Sequence, residues 1–238
     1  LRHIRQELNE ITSGRIGFNV FTDANSPIPR SQSTNPGLFV EYEVAGGDSV
    51  SLTAGARVDW AHANVTDDPA KLAALGTANP QSSLADILGT DDFDRHDQLL
   101  SAFTTLRWQL DDDWAVSLAG GHAQRPLTLT ELYTAQTFLF LLQNGQNTAT
   151  GDPKLDPERL WQVDVGVELD RGPVRAGLGG FHAWINDYVT FENLNVFHGP
   201  PLGQVEQVSL QYVNTDLATL AGAEAHFEFD LNDRVTPF

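Results

Sequence analysis

The feature that most constrains this chain is its rhythm of connections. Stretches of period-two alternation are joined by links that are strictly short, then long, then short again. The short ones lie near 46–48, 111–113, 171–173 and 231–234. The long ones lie near 12–37, 61–96, 126–158 and 193–207. Between them run about eight strands in simple succession, with no sign of a Greek-key crossing. In one hairpin Leu38, Val40, Tyr42 and Val44 alternate with Phe39, Glu41 and Glu43, then Gly46-Gly47-Asp48 turns the chain. Val50, Leu52, Ala54, Ala56, Val58 and Trp60 follow on an apolar face, with Ser51, Thr53, Gly55, Arg57 and Asp59 opposite. A later strand sets Trp161, Val163, Val165, Val167 and Leu169 against Gln162, Asp164, Gly166, Glu168 and Asp170.

One apolar and one wet face suits two architectures. In a soluble sandwich the apolar face meets a second sheet. In an outer-membrane barrel it meets lipid, short turns lie at one end, and long loops lie at the other. Up-and-down order and opposite faces rich in Glu, Asp, Arg, Ser and Gly favour the barrel. Aromatics at strand ends (Trp60, Trp108, Trp114, Trp161, Trp184 and Tyr188) suit interface girdles, although packing in a soluble core would place them similarly. The expected fold is an all-β, antiparallel up-and-down transmembrane barrel. About eight strands could close a small barrel by themselves or form part of a larger wall.

Composition narrows the function. The chain has 238 residues and a formal net charge of −18, so nucleic acid is not an expected partner. Solvation accounts for the acidity, and acidic outer loops that gather cations are the sharper alternative. Cysteine and methionine are absent, which excludes disulfides and thiolate sites. No run of eighteen apolar residues occurs, so no ordinary transmembrane helix is expected. Without an initiator methionine or signal peptide, the chain reads as a piece of a longer protein.

Local chemistry adds smaller expectations. Leu1–Ile11 leaves strand and helix both open, and 12–37 reads as a connection rich in Ser, Asn and Pro. Pro69–Leu75 suggests a short helix. The apolar phase shifts from Leu178 to Phe181, Ala183 and Ile185, which a bulge at Gly179-Gly180 would explain. No catalytic motif is present. The seven histidines show no ligand spacing, and Asp91, Asp92, Asp94 and Asp97 lack the glycine and terminal glutamate of an EF-hand loop. No enzyme activity, metal or cofactor is expected.

The stretch Arg125–Val167 carries the most specific signal. Pro126 ends strand pairing. Thr128 and Glu131 have capping-box spacing, with Leu127 and Leu132 placed as a hydrophobic staple. This predicts about two turns of helix near Leu129–Ala135. Pro153 and Pro157 push Asp152 and Asp156 into extended backbone before the next strand.

Here the chain resembles the barrel of TonB-dependent outer-membrane receptors. Arg125-Pro126-Leu127-Thr128-Leu129-Thr130-Glu131-Leu132-Tyr133 is similar to that family's Arg-Pro-Thr-x-x-Glu-Leu-Tyr signature, with extra residues before Glu131. Gly151-Asp152-Pro153-Lys154-Leu155-Asp156-Pro157-Glu158 is similar to its Gly-Asn-Pro-x-Leu-x-Pro-Glu signature, with Asp for Asn. Phe181–Val189 resembles a third, and Tyr212-Val213-Asn214 followed by Gly222-Ala223-Glu224 a fourth. The resemblance covers the second half of the chain, and the first half shares the rhythm. It implies a receptor of the bacterial outer membrane that captures a scarce nutrient, such as a ferric siderophore, and imports it with energy from the TonB complex. Lipid and lipopolysaccharide would surround it. The resemblance also places the strands in a large plugged barrel of ~22 strands, so residues 1–238 would be a partial barrel, a curved wall with two unpaired edges, with the plug domain and the barrel C-terminus outside the chain. A passive porin-like channel and a secreted β-sandwich binding module remain as alternatives.

Candidate capture residues are Arg125 at the rim, with Tyr133, Phe138 and Phe140 in the loop above. Pro126, Thr128, Glu131, Gly151, Pro153, Pro157 and Glu158 read as structural. For Arg125, bracing of the loop against the wall is the plainer reading, because capping and turn chemistry already accounts for its surroundings.

Overall fold

The computed structural model describes residues 2–16, 19–68, 83–135, 137–139, 146–198 and 206–230. Its strands are β1 (Arg2–Ile16), β2 (Asn19–Asn35), β3 (Gly37–Gly46), β4 (Val50–Val65), β5 (Asp94–Gln109), β6 (Trp114–Arg125), β7 (Thr137–Leu139), β8 (Gln146–Thr150), β9 (Glu158–Arg171), β10 (Val174–His198) and β11 (Glu206–Phe229). Two short helices, α1 (Leu84–Leu88) and α2 (Leu129–Tyr133), lie in the long connections.

All eleven strands join one sheet in the order β1-β2-β4-β5-β6-β9-β10-β11-β8-β7, with β3 also on β4. β2 and β3 form one run broken at Pro36, and β7 and β8 are loop strands. The curled wall therefore has eight strands in up-and-down order. Its wall pairs are antiparallel, and only β8 joins β11 in parallel. The far edge of β3 is unpaired among the described residues, as is the lower part of β11. The expected partial wall is what forms.

The alternation resolves into a convex and a concave face. Val58, Leu100, Leu118, Val165 and Leu178 look outward, and all but Val58 are among the exposed large apolar residues. Trp60, Trp161 and Trp184 mark one end of this band, with Trp108 and Trp114 at the other. The roughly ten residues between the two levels span about 23–25 Å when tilted by ~45°, the height of an outer-membrane band.

The concave face is polar, with ion pairs such as Arg57 Nε–Asp59 Oδ2 at 2.6 Å and Arg107 Nη2–Glu168 Oε2 at 2.7 Å. Aromatic rings lie over cross-strand glycines here. A Cβ on Gly55 would meet Phe103 at 2.4 Å, and one on Gly222 would meet Phe181 at 2.5 Å. No bulge occurs at Gly179-Gly180, contrary to expectation. The β10 register runs unbroken from Val174 to Asn186 against both neighbours. Phe181, Ala183 and Ile185 instead face the lumen, where the Phe181 ring covers Gly222.

Several expected connections are strand. The polar run 12–37 belongs mostly to the β1–β2 hairpin, whose register slips between Gln6 and Leu8 and between Leu8 and Glu10. Pro27 and Pro29 fall beside these slips, where a missing amide does least harm. β10 likewise continues to His198 and β11 begins at Glu206, so the described residues of 193–207 are strand, paired with each other. Above the membrane, neither face must be apolar, and alternation gives no signal there. The expected helix at Pro69–Leu75, the turn near 231–234 and Gly199-Pro200-Pro201 lie outside the described residues. α1 was not expected. Ser83 caps it through a box with Asp86.

Candidate functional site: a braced external rim

The chain's principal apolar core lies above the membrane band. Leu84 and Leu88 of α1 join Leu127, Leu129, Leu132, Tyr133, Ala135 and Leu155 of the long loop, against Ala63 and Val189 on the wall. α2 orders this cluster. Thr128 Oγ1 accepts from the Glu131 amide at 3.2 Å, and the Thr128 amide donates to Glu131 Oε2 at 2.7 Å. The capping box is as the spacing predicts. The helix is shorter than expected, ending at Tyr133.

The Glu131 carboxylate also faces Arg125, the last residue of β6. Arg125 Nη1 and Nη2 donate to its two oxygens at 3.1 and 3.0 Å, and Arg125 Nε donates to Glu158 Oε2 at 2.6 Å. Glu158 opens β9 and accepts the Val189 amide at 2.9 Å on its other oxygen. One guanidinium thus locks the helix to two wall strands in bidentate geometry. The paired carboxylates push the Arg125 pKa up further. Burial pushes the Glu158 carboxyl up, but the Arg125 hydrogen bond and the Val189 amide outweigh it, and the net shift is down.

The second signature closes on the first. Gly151 donates its amide to Thr134 O at 2.7 Å, and Asp152 donates to Glu131 O at 2.9 Å. A Cβ on Gly151 would lie 2.6 Å from Leu132 O, so only glycine permits this approach. Arg95 Nη1 donates to Pro153 O at 2.8 Å, which pins the loop to β5.

The third and fourth signatures complete the collar. Asp187 has a left-handed backbone, with φ 56°. Its carboxylate takes Arg159 Nε at 2.8 Å. Asn214 Nδ2 donates to Asp187 O at 2.6 Å and to Asp156 O at 3.0 Å, while the Asp156 amide donates to Asn214 Oδ1 at 2.7 Å.

The structure places the sequence-derived residues as follows. Arg125 is held by two carboxylates. Tyr133 is fully buried, with its single hydroxyl hydrogen shared between Ala63 O at 3.1 Å and Phe93 O at 2.9 Å. That burial raises its pKa. Pro126, Thr128, Glu131, Gly151, Pro153, Pro157 and Glu158 all lie in the collar or beside it. Phe138 sits in β7, and Phe140 lies outside the described residues. Below the collar, the concave wall forms an open groove of about 520 Å³ whose lining includes Arg57, Ser101, Phe103, Gln162 and Asp164. The sequence reading missed Arg95; it placed Asp187 and Asn214 within family-like stretches but gave them no role in a site. It also missed a cluster on the outer face, where His62 and His96 meet Asp94. Only strand register brings these together.

Comparisons agree with this architecture. Residues 5–236 match the family model described as TonB dependent receptor-like, beta-barrel. Among solved structures, the copper transporter OprC is similar at 20% identity and a TM-score of 0.64, covering 97% of this chain and 32% of that one. The Serratia marcescens hemophore receptor HasR, solved with its hemophore HasA and heme, is similar at 15% identity and a TM-score of 0.63, covering 96% and 39%. The Pseudomonas aeruginosa ferric enterobactin receptor PfeA is similar at 13% identity and a TM-score of 0.55, covering 98% and 39%. The chain thus spans between about a third and two fifths of these structures. No curated protein matches by sequence. The up-and-down wall, the braced rim and the family match over nearly the whole chain lead to one conclusion: this chain belongs to the β-barrel family of TonB-dependent receptors, which lies in the bacterial outer membrane.

Proposed function

We propose that this chain is part of the wall and rim of a receptor that captures a scarce nutrient chelate and imports it with TonB-supplied energy. The family is one of transporters and not of enzymes. A ferric siderophore or a similar metal chelate is the favoured cargo class. The observation that carries the reading is the braced collar. It fastens the described part of the long loop over a polar, concave wall, which suits capture better than free diffusion. A plug domain, a TonB-binding segment and the rest of the barrel are proposed to lie outside residues 1–238. Phe138 and Phe140 are then the candidate capture residues, with Arg125 and Tyr133 as supports in the collar.

The test is uptake of iron-labelled chelates by cells that carry or lack the gene, in backgrounds with and without TonB. The expected result is uptake that needs both, and expression that rises on iron starvation. Uptake that needs the gene but not TonB would overturn the energised reading in favour of a passive channel. Recovery of the protein in soluble form without detergent would sink the membrane wall itself.

A further inference from the structure

The outer face carries a group of side chains that the collar and the lumen do not use. His62 on β4 and His96 on β5 stand directly opposite in the register. Their rings stack at 4.3 Å between centroids, with planes 1° apart. Both present Nε2 to one carboxylate oxygen. Asp94 Oδ1 lies 2.7 Å from His62 Nε2 and 3.3 Å from His96 Nε2. The three ligand atoms all lie within 4.8 Å of one another. In tetrahedral zinc, with bonds of about 2.0–2.2 Å, neighbouring ligand atoms sit about 3.3–3.5 Å apart. A shared ion must lie near the plane of both rings, so the two imidazoles turn out of their parallel stack to take it, a motion open to side chains that are partly or largely exposed.

From this geometry we propose that His62, His96 and Asp94 bind one divalent transition-metal ion of the zinc class on the outer wall. Imidazole and carboxylate donors select such ions over calcium or magnesium, which prefer all-oxygen sites. A cross-strand pair brings two Cβ atoms to about 4.5–5.5 Å, close enough for both rings to share an ion. Asp94 reaches the same ion from two residues before His96. Asn64 faces Asp94 across the strands, and its side-chain oxygen is shielded and lacks a hydrogen-bond partner. Three protein ligands leave one coordination position open.

The location separates this site from cargo capture. His62 follows Trp60 by two residues on the same outward face, about 6–7 Å further along the strand. With Trp60 at the girdle, the ion sits at the level of the lipid headgroups, outside the lumen. It clips β4 to β5 where both strands leave the membrane. The proposal does not depend on the transport reading.

The experiment uses the full-length protein, extracted in detergent from outer membranes and stripped with chelator. Zinc alone is titrated by calorimetry, and cobalt(II) is substituted to read coordination from its visible absorption. The expected result is a single zinc site with a tetrahedral cobalt spectrum. His62→Gln and His96→Gln should each weaken binding more than about tenfold, and Asp94→Asn should weaken it as well. His122→Gln, on the same outer face but outside the cluster, should leave it unchanged. Absence of a stoichiometric zinc site would overturn the proposal. So would zinc binding that persists in the His62→Gln/His96→Gln double variant. Retention of the heat-resistant barrel on gels establishes that each variant is folded.

Discussion

Asn214 and Asp156, 58 residues apart, hold each other reciprocally: the Asp156 amide donates to Asn214 Oδ1 at 2.7 Å, and Asn214 Nδ2 donates back to Asp156 O at 3.0 Å. The same Nδ2 reaches Asp187 O at 2.6 Å. One amide side chain therefore joins the descending loop, the end of the β9–β10 pairing and β11. Asn214→Ala removes all three bonds. The expected cost is about 1–3 kcal/mol of local stability, because backbone groups lose partners at a partly shielded site. Hydrogen exchange should accelerate over 151–157 and near Asp187, and remain unchanged at the Gly47 and Gly172 turns.

Arg125 should tolerate no cationic substitute. Lysine can offer a charge but not a fork aimed at Glu131 and Glu158 together. Arg125→Lys is expected to lower rim stability by about 1–2 kcal/mol, and Arg125→Ala by about 2–3 kcal/mol, discounted for the partial exposure of the guanidinium. A double-mutant cycle with Glu158→Gln, read by thermal unfolding, should give coupling well above that of an exposed pair.

The same contact predicts a pH dependence. The folded Glu158 pKa lies below its ordinary value. Its stabilising contribution is therefore complete above the ordinary glutamate range and is lost as pH falls through the lowered folded value. Thermal midpoints of the wild type should decline across that acid window. Glu158→Gln should begin lower and decline less. Parallel curves for the two proteins would contradict this role.

Gly151→Ala tests close approach without any change of charge. The added methyl meets the carbonyls of Leu132 and Glu131 at 2.6 and 2.9 Å, and backbone cannot swing aside as a side chain can. The loop must lift, and a loss of about 1–3 kcal/mol is expected, in line with overpacking elsewhere. Protection of the Gly151 and Asp152 amides from exchange should fall together.

Tyr133→Phe separates support from capture. The hydroxyl's two carbonyl partners lie within the protein, so its loss should cost about 1 kcal/mol. Cargo affinity measured on intact cells should change less than twofold. A larger loss of affinity at unchanged stability would make Tyr133 a direct contact.

The membrane band was legible because lipid writes itself into sequence as period-two alternation. Val50–Trp60 and Trp161–Leu169 could be assigned faces from residue type alone. The extramembrane strands were not legible. Asn19–Asn35 and the parts of β10 and β11 above the membrane are not required to turn an apolar face to lipid, so their sequence carries no period-two bias. Phe181 misled for a related reason: a lumen can hold an aromatic ring when a glycine lies beneath it. Of the collar, Thr128, Glu131 and Gly151 were legible because capping and turn chemistry is local. Arg95 was not, and Asn214 showed only as part of a family-like stretch without its bonding role, since their partners lie 58 residues away in each case. The His62–His96 pair was hidden in the same way.

The hydrogen bond from the Gly151 amide to Thr134 O has a consequence for how such a receptor could change its cargo. The two ends of the intervening segment are clasped to each other, and the Ala135 amide is tied as well, to Pro27 O at 2.8 Å. Chain inserted between them starts and finishes at fixed neighbouring posts. Lengthening a loop already closed in this way adds only a slowly growing entropy, about 0.6 kcal/mol per doubling. The clasp works like the frame of an embroidery hoop: the fabric above can be exchanged freely while the wall below keeps its tension.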